Sequence, residues 1–286
     1  MNALIDFVRR FARNIGAVAG AVILFAVLAL ALLAPVLYPI DPWQMVGIPF
    51  APPLEGGFLF GTDSLGRDVA AGVAHGAHVS LLVGLVSTVA GVAIGVSLGA
   101  IAGYAGGWVD DAIMRFTEFF QTIPSFVLAI VLVAIFQPSI GSIIVAIAVV
   151  SWPPVARVVR GEFLSLRSRE FVQAAIVLGQ STPRIVFGQI LPNALSPIIV
   201  LGSLMVASAI LLESALSFMG LGDPNLMSWG FMIGAGRSVI RLAWWMSVFP
   251  GLAIFLTVLA LNLVGEGLND ALNPRLARKS RAPPLP

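Results

Sequence analysis

Cysteine is absent from the 286 residues, so the chain has neither a disulfide framework nor a thiolate metal ligand or nucleophile. Lysine occurs once, at Lys279. A P-loop needs a glycine-rich turn ending in lysine, so the chain is not expected to bind or hydrolyse ATP by itself. Histidine occurs only at His75 and His78. Their spacing suits a metal pair in principle, but no third ligand is evident, and a structural role near the membrane surface is the simpler expectation. Charge is scarce too. Charged residues make up 10% of the chain against 58% hydrophobic, where soluble domains carry about a quarter charged. So little polar surface cannot coat a water-soluble globule, and the excess apolar surface must face lipid. The net charge of +2 is carried by basic residues scattered between apolar runs, which membrane topology explains better than a nucleic-acid footprint does.

What is abundant is the long apolar run. Six stretches reach the ~20 residues that cross a bilayer: Gly16–Tyr38, Val79–Tyr104, Ala112–Phe136, Ile140–Val159, Ala194–Phe218 and Ala243–Val264. Pro124, Pro153, Pro154 and Pro197 fall inside them and are tolerated in membranes, where neighbouring helices satisfy freed backbone groups. The expected fold is an all-α integral membrane protein of six transmembrane helices. Arginine asymmetry orients it. With the N-terminus inside, Arg9, Arg10, Arg13, Arg115, Arg157, Arg160, Arg167, Arg169, Arg184, Arg275, Arg278, Lys279 and Arg281 are cytoplasmic, and only Arg67, Arg237 and Arg241 fall outside. Both termini are then expected in the cytoplasm. The basic start and Ala29-Leu30-Ala31 resemble a cleavable signal, but the run continues past that site and is long enough to span.

Between the first two spans, residues 39–78 form an outer loop in which Thr62 or Asp63 is placed to cap a short surface helix. A second outer segment, Gly220 to Arg241, carries Trp229 and leads to Trp244 and Trp245, the aromatic type that settles at headgroup depth. In span two, Gly91, Gly95, Gly99 and Gly103 repeat every four residues, a face on which another helix packs closely. The Asp110-Asp111 pair beside Arg115 reads as a first-turn charge pattern rather than a catalytic dyad. Two carboxylates fall inside spans, Glu118 and Glu213, the latter near Ser214 and Ser217. A carboxylate in hydrocarbon costs at least about 2.5 kcal/mol, so each needs water or a partner. For Glu213 and Ser217 a hydrated translocation path and a helix-assembling hydrogen bond both stay open; for Glu118 the hydrogen-bonded reading is preferred.

The cytoplasmic stretch from Glu162 to Asn193 is arginine-rich yet regularly apolar. Phe171, Ala174, Ala175 and Leu178 recur at helical spacing and predict a short helix with a small-residue face. Gly179 is placed to stop it with a left-handed cap, and Thr182-Pro183 reads as N-cap and first residue of a second helix. Helix, glycine turn and helix make a compact cytoplasmic knob.

Gln173-Ala174-Ala175, Gly179 and Ile190-Leu191-Pro192-Asn193 resemble the EAA loop of ABC importer permeases. Other stretches resemble the C-type subunit of the dipeptide/oligopeptide/nickel permease family: 60–68 (FGTDSLGRD), Tyr104 with Gly106 to Asp110, Met114-Arg115 and Pro124, and Trp152 with Ala156-Arg157 and Arg160-Gly161. Glu213 with Leu216 to Phe218, Gly220 to Gly222, Ser228 to Gly230, and Asn262 to Pro274 continue the likeness. It covers nearly the whole chain and implies a type I ABC importer permease of the bacterial inner membrane, with residues 1–78 before, and a basic cytoplasmic tail of 273–286 after, a permease domain at 79–272. It further implies that Phe171, Gln173, Ala174, Ala175, Leu178, Gly179, Ile190, Leu191 and Pro192 couple to an ATPase. The implied partners are a second homologous permease, two ATPase subunits and an extracytoplasmic substrate-binding protein. No cofactor is expected here, with ATP and Mg only in the partners. The implied cargo is a short peptide or a small solute such as nickel, glutathione or an opine, chosen mainly by the binding protein. Three positions depart from the family pattern: Gln173 stands for glutamate, His78 for arginine and Gln189 for histidine. The alternatives are a membrane-embedded scaffold subunit or a secondary transporter, the latter expected to show inverted repeats and broken helices; no internal repeat is evident. A membrane enzyme would need a convergent catalytic set, and none is seen.

Overall fold

The computed structural model describes residues 2–272, so the predicted basic tail lies outside the described residues. Their regular secondary structure is helical, joined by loops, with two isolated bridges in the outer loop. Helix α1 (Asn2–Phe11) leads into α2 (Ile15–Leu37), whose N-terminus is capped by the Asn14 side chain on Ala17 N–H. The outer loop follows, then α3 (Val69–Ala105), 37 residues and so about 55 Å long. That exceeds the ~30 Å hydrocarbon core. The helix begins ten residues before the expected start of span two because its first turns, Val69 to Ala77, are buried on nearly every face by the outer segments. No short helix forms at Thr62 or Asp63. Asp68 is the cap, bonding Ala70 N–H at 2.8 Å.

Span three is broken. Helices α4 (Gly107–Thr122) and α5 (Ser125–Phe136) meet at 84°. Pro124 disfavours helical backbone at Ile123, which is extended (ψ 126°). The pair still runs along most of its neighbour. Its start is tied to the far end of α6 (Ile140–Arg167) by Asp110 and Arg160, and its finish leads directly into the head of α6. Five single helices are long and apolar enough to cross a membrane, and the bent pair, counted as one span, brings the number to six. Pro153 and Pro154 lie within a continuous α6, as expected.

The knob helix α7 (Glu170–Val177) comes next. The predicted second knob helix, α8 (Thr182–Ile185), is the foot of span five. It passes through a π-helical turn (Val186–Ile190) into α9 (Leu191–Leu216) and a second π-turn (Ser217–Leu221), in which Gly220 (φ 85°) breaks the helical backbone. Ser181, not Thr182, is the N-cap. Helices α10 (Trp229–Gly236) and α11 (Trp245–Leu272) complete the described residues.

The glycine face of α3 packs on α6. A Cβ at Gly91, Gly95, Gly99 or Gly103 would stand 2.4–2.6 Å from Ser151, Val155, Ala156 or Phe163, closer than atoms approach. Two of the three expected interfacial tryptophans instead anchor the outer face. Trp229 is fully buried, its indole N–H donating to the Val73 carbonyl at 2.9 Å, and Trp245 donates to the Thr62 carbonyl at 2.9 Å. Of the three, Trp244 alone is exposed. Arg67 pairs with Asp63 at 2.6 Å and covers the Trp43 ring.

Candidate functional site

The knob is built by backbone geometry and one buried edge. After α7 the chain reverses at Gly179 (φ 73°). Gln180 N–H donates to the Ala175 carbonyl and Gly179 N–H to the Ile176 carbonyl, the paired bonds of a left-handed helix stop. Val172 and Ala175 then pack with Val155, Val159 and Phe163 of α6 and with Ile185, Ile190 and Ala194 of the helix that follows. The predicted small-residue face is therefore divided. Ala175 (4% exposed) seats the knob on its own chain, as does Ile190 (0%), and neither is free to meet a partner. Phe171, Ala174 and Leu178 point outward with Val177, which the spacing had not singled out; Phe171, Val177 and Leu178 are 41%, 87% and 78% exposed. Leu191 is half-buried and Pro192 exposed at the start of α9.

Gln173, where the motif has glutamate, donates from Nε2 to the Arg167 carbonyl at 2.9 Å. That carbonyl belongs to the last turn of α6, whose acceptors lack helical partners. An amide supplies the donor; a carboxylate has none to give.

Glu213 and Ser217 lie inside the chain, 2% and 4% exposed. The Ser217 hydroxyl donates to the Glu213 carboxylate at 2.7 Å, with Ser214 and Ser80 at 3.4 and 3.5 Å. Ser80 on α3 also accepts the Trp229 backbone N–H at 3.3 Å. The cluster therefore joins α3, α9 and the segment leading into α10, which favours the assembling reading of this carboxylate. Glu118 is exposed on α4 and has no hydrogen-bond partner among the described residues.

Sequence reasoning missed the pairing of Asp110. Arg160 grips both its carboxylate oxygens, at 2.5 and 2.6 Å, and Asp110 is 7% exposed. The signal was available only as two opposite charges near span ends 50 residues apart. His75 Nε2 lies 2.9 Å from the Tyr38 carbonyl at the end of α2, and His78 is exposed. Among the described residues, no three acidic or histidine side chains gather as a metal site. Nearby, burial lifts the Asp68 carboxyl above its ordinary range, opposed by the N–H groups of Ala70 and Ala71.

Residues 95–278, well over half of the chain, match the family described as binding-protein-dependent transport system inner membrane component. The chain belongs to this family. A second match, over residues 3–53, is to the N-terminal TM domain of oligopeptide transport permease C. The permease is 41% identical to the di/tripeptide transport system permease protein DppC of Pseudomonas aeruginosa, over 95% of its own length and 92% of the relative's. It is 42% identical to the oligopeptide transport system permease protein OppC of Escherichia coli K12, over 94% and 90%. A solved structure of inward-facing MetNI, a methionine ABC transporter, superposes with TM-score 0.60 at 16% identity, covering 71% of the permease and 96% of that chain. That likeness confirms the type I importer fold. The permease is a multi-pass, non-catalytic subunit of the bacterial inner membrane, and its broken span three does not make it a secondary transporter.

Proposed function

We propose that this permease carries short peptides inward, forming half of the translocation path beside a second homologous permease. Two ATPase subunits would power it and an extracytoplasmic binding protein would deliver cargo. The peptide assignment rests on relatives of this identity and coverage being named for di-, tri- and oligopeptides. ATP and Mg belong to the ATPases, since the chain has no P-loop lysine. Both termini and the knob face the cytoplasm, an orientation supported by the arginine asymmetry. The permease domain occupies 79–272 and the basic tail 273–286 follows it in the cytoplasm.

One observation carries the coupling role: α7 holds an apolar face of Phe171, Ala174, Val177 and Leu178 outward, at a turn fixed by Gly179 and a buried seat. Such a face in water needs a partner, and the ATPase is the partner proposed. Ala174→Arg places a charge on that face without touching the seat, whereas Gly179→Asp forces a side chain into left-handed backbone at a cost of roughly 1 kcal/mol. Both variants are expected to insert in the membrane, lose most ATPase in pull-downs and abolish uptake. Normal ATPase recovery with normal uptake in both would remove the coupling assignment.

A further inference from the structure

The N-terminal helix has a face that neither the knob nor the permease fold uses. On α1 (Asn2–Phe11) the apolar residues Ile5, Phe7, Val8 and Phe11 gather on one side of the helical wheel and Arg9 and Arg10 on the other, with Arg13 just past its end. Phe11 packs where α11 has Gly267. The adjoining flank, Ile5 and Val8, remains 51% and 55% exposed. No ion pair joins Arg9, Arg10 or Arg13 to a carboxylate whose side chain is described; Asp6 shares the helix, and Glu266 and Asp270 lie in the facing end of α11.

Depth follows from the next helix. The 23 residues of α2 rise about 34 Å, already the full hydrocarbon thickness. Only Ala12, Arg13 and Asn14 separate the two helices. Asn14 both caps α2 and donates to Asp270 of α11 at 3.0 Å, pinning the corner to the bundle. With Ile15 85% exposed immediately afterwards, this short link holds the C-terminal end of α1 close to where α2 enters the bilayer.

We propose that α1 is an interfacial helix that binds anionic phospholipid, with Ile5 and Val8 at the acyl boundary and Arg9, Arg10 and Arg13 on the headgroup phosphates. A free phosphate ion would answer the arginines but leave the apolar flank in water, so the lipid is the occupant that fits both halves of the surface. Basic residues at a bilayer surface attract acidic lipid with an energy equivalent to about five-fold in population each, and amphipathic helices settle about 5–10 Å into the interface.

The absence of cysteine makes the test clean. The full chain with Val8→Cys, spin-labelled, is placed in nanodiscs of phosphatidylcholine alone or with phosphatidylglycerol, and its accessibility to oxygen and to a water-soluble nickel chelate is compared. A label at Phe25→Cys, on the lipid-exposed side of α2, reports insertion. The Val8 label is expected to move from water toward lipid when phosphatidylglycerol is present. Combined replacement of Arg9, Arg10 and Arg13 by glutamine should reduce that shift on the order of 100-fold in population. Inorganic phosphate in phosphatidylcholine discs should not reproduce it. Equal accessibility in the two lipids overturns the proposal, as does an unchanged shift in the inserted glutamine variant or full reproduction by phosphate. Should the glutamine variant fail to insert, the comparison of the two lipids with native arginines decides alone.

Discussion

Replacing Gly99 by alanine inserts one carbon where α3 and α6 already touch. The new Cβ would stand 2.4 Å from the Ala156 carbonyl oxygen and 2.8 Å from Val159 Cβ. The carbonyl belongs to helix backbone and cannot rotate aside, so the helices must part by about 1 Å at this level. Overpacking of this kind costs about 1–3 kcal/mol, offset by the ~1 kcal/mol that alanine gains over glycine in a helix. Gly161 on α6 provides the control, since a Cβ there meets nothing within 4 Å. Gly161→Ala should therefore show only the helical gain, and the two substitutions should differ by about 1–3 kcal/mol. Reversible unfolding of the purified permease in mixed micelles, titrated with denaturing detergent, measures that difference. Gly95→Ala, whose Cβ would lie 2.5 Å from Val155 Cβ, should behave like Gly99→Ala. If Gly99→Ala and Gly161→Ala agree within about 0.5 kcal/mol, the ordinary scatter of harmless substitutions, then the seam is not tight and the account of α3–α6 packing fails.

Arg160→Leu should cost about 1–3 kcal/mol by stranding Asp110, and the double variant with Asp110→Leu should recover much of it; a double-mutant cycle with no coupling would contradict the bidentate pair. Gln173→Glu removes the donor to the Arg167 carbonyl, so the end of α6 should gain faster amide exchange around residues 165–173, while a native exchange pattern would deny the bond. Glu213→Ala leaves the Ser217 and Ser80 hydroxyls without their acceptor, and should raise amide exchange across 217–236 and impair uptake while pull-down of the ATPase stays normal; loss of ATPase instead would mean the cluster acts at the cytoplasmic side. For topology, Ser64→Cys should react with an impermeant thiol reagent in intact cells and Ser168→Cys should not, the reverse pattern being fatal to the orientation.

The crossings were legible because lipid demands long apolar runs, and the glycine seam because a four-residue period puts missing side chains on one face. The turn at Gly179 was legible for a similar local reason. The break at Pro124 was not, since the same residue can kink or end a helix, and the outcome depends on what holds each half. Asp110 shows why charge patterns near helix ends mislead: Arg115 is near in sequence, but Arg160 arrives through the fold. Ala175 is the instructive case for the coupling surface. It repeats correctly with Phe171, Ala174 and Leu178, yet the rotation of α7 between α6 and α9 places the boundary between seat and open face inside that stripe. Val69 to Ala77 read as loop in the sequence because short apolar residues beside two histidines carry little hydropathy, and only the cover from the outer segments reveals them as helix.

The length of α3 has a mechanical consequence. Its 37 residues include no proline, so it is a stiff rod of about 55 Å, clamped near its top by the Trp229 and Ser80 bonds and near its foot by the seam with Phe163 and Arg160. A tilt of about 5° about one end would swing the other by about 5 Å on that length. Phe163 also packs against the knob's buried edge, so a single unbroken helix links the seat of the knob to the outer cap, and a displacement at either end has a rigid path to the other.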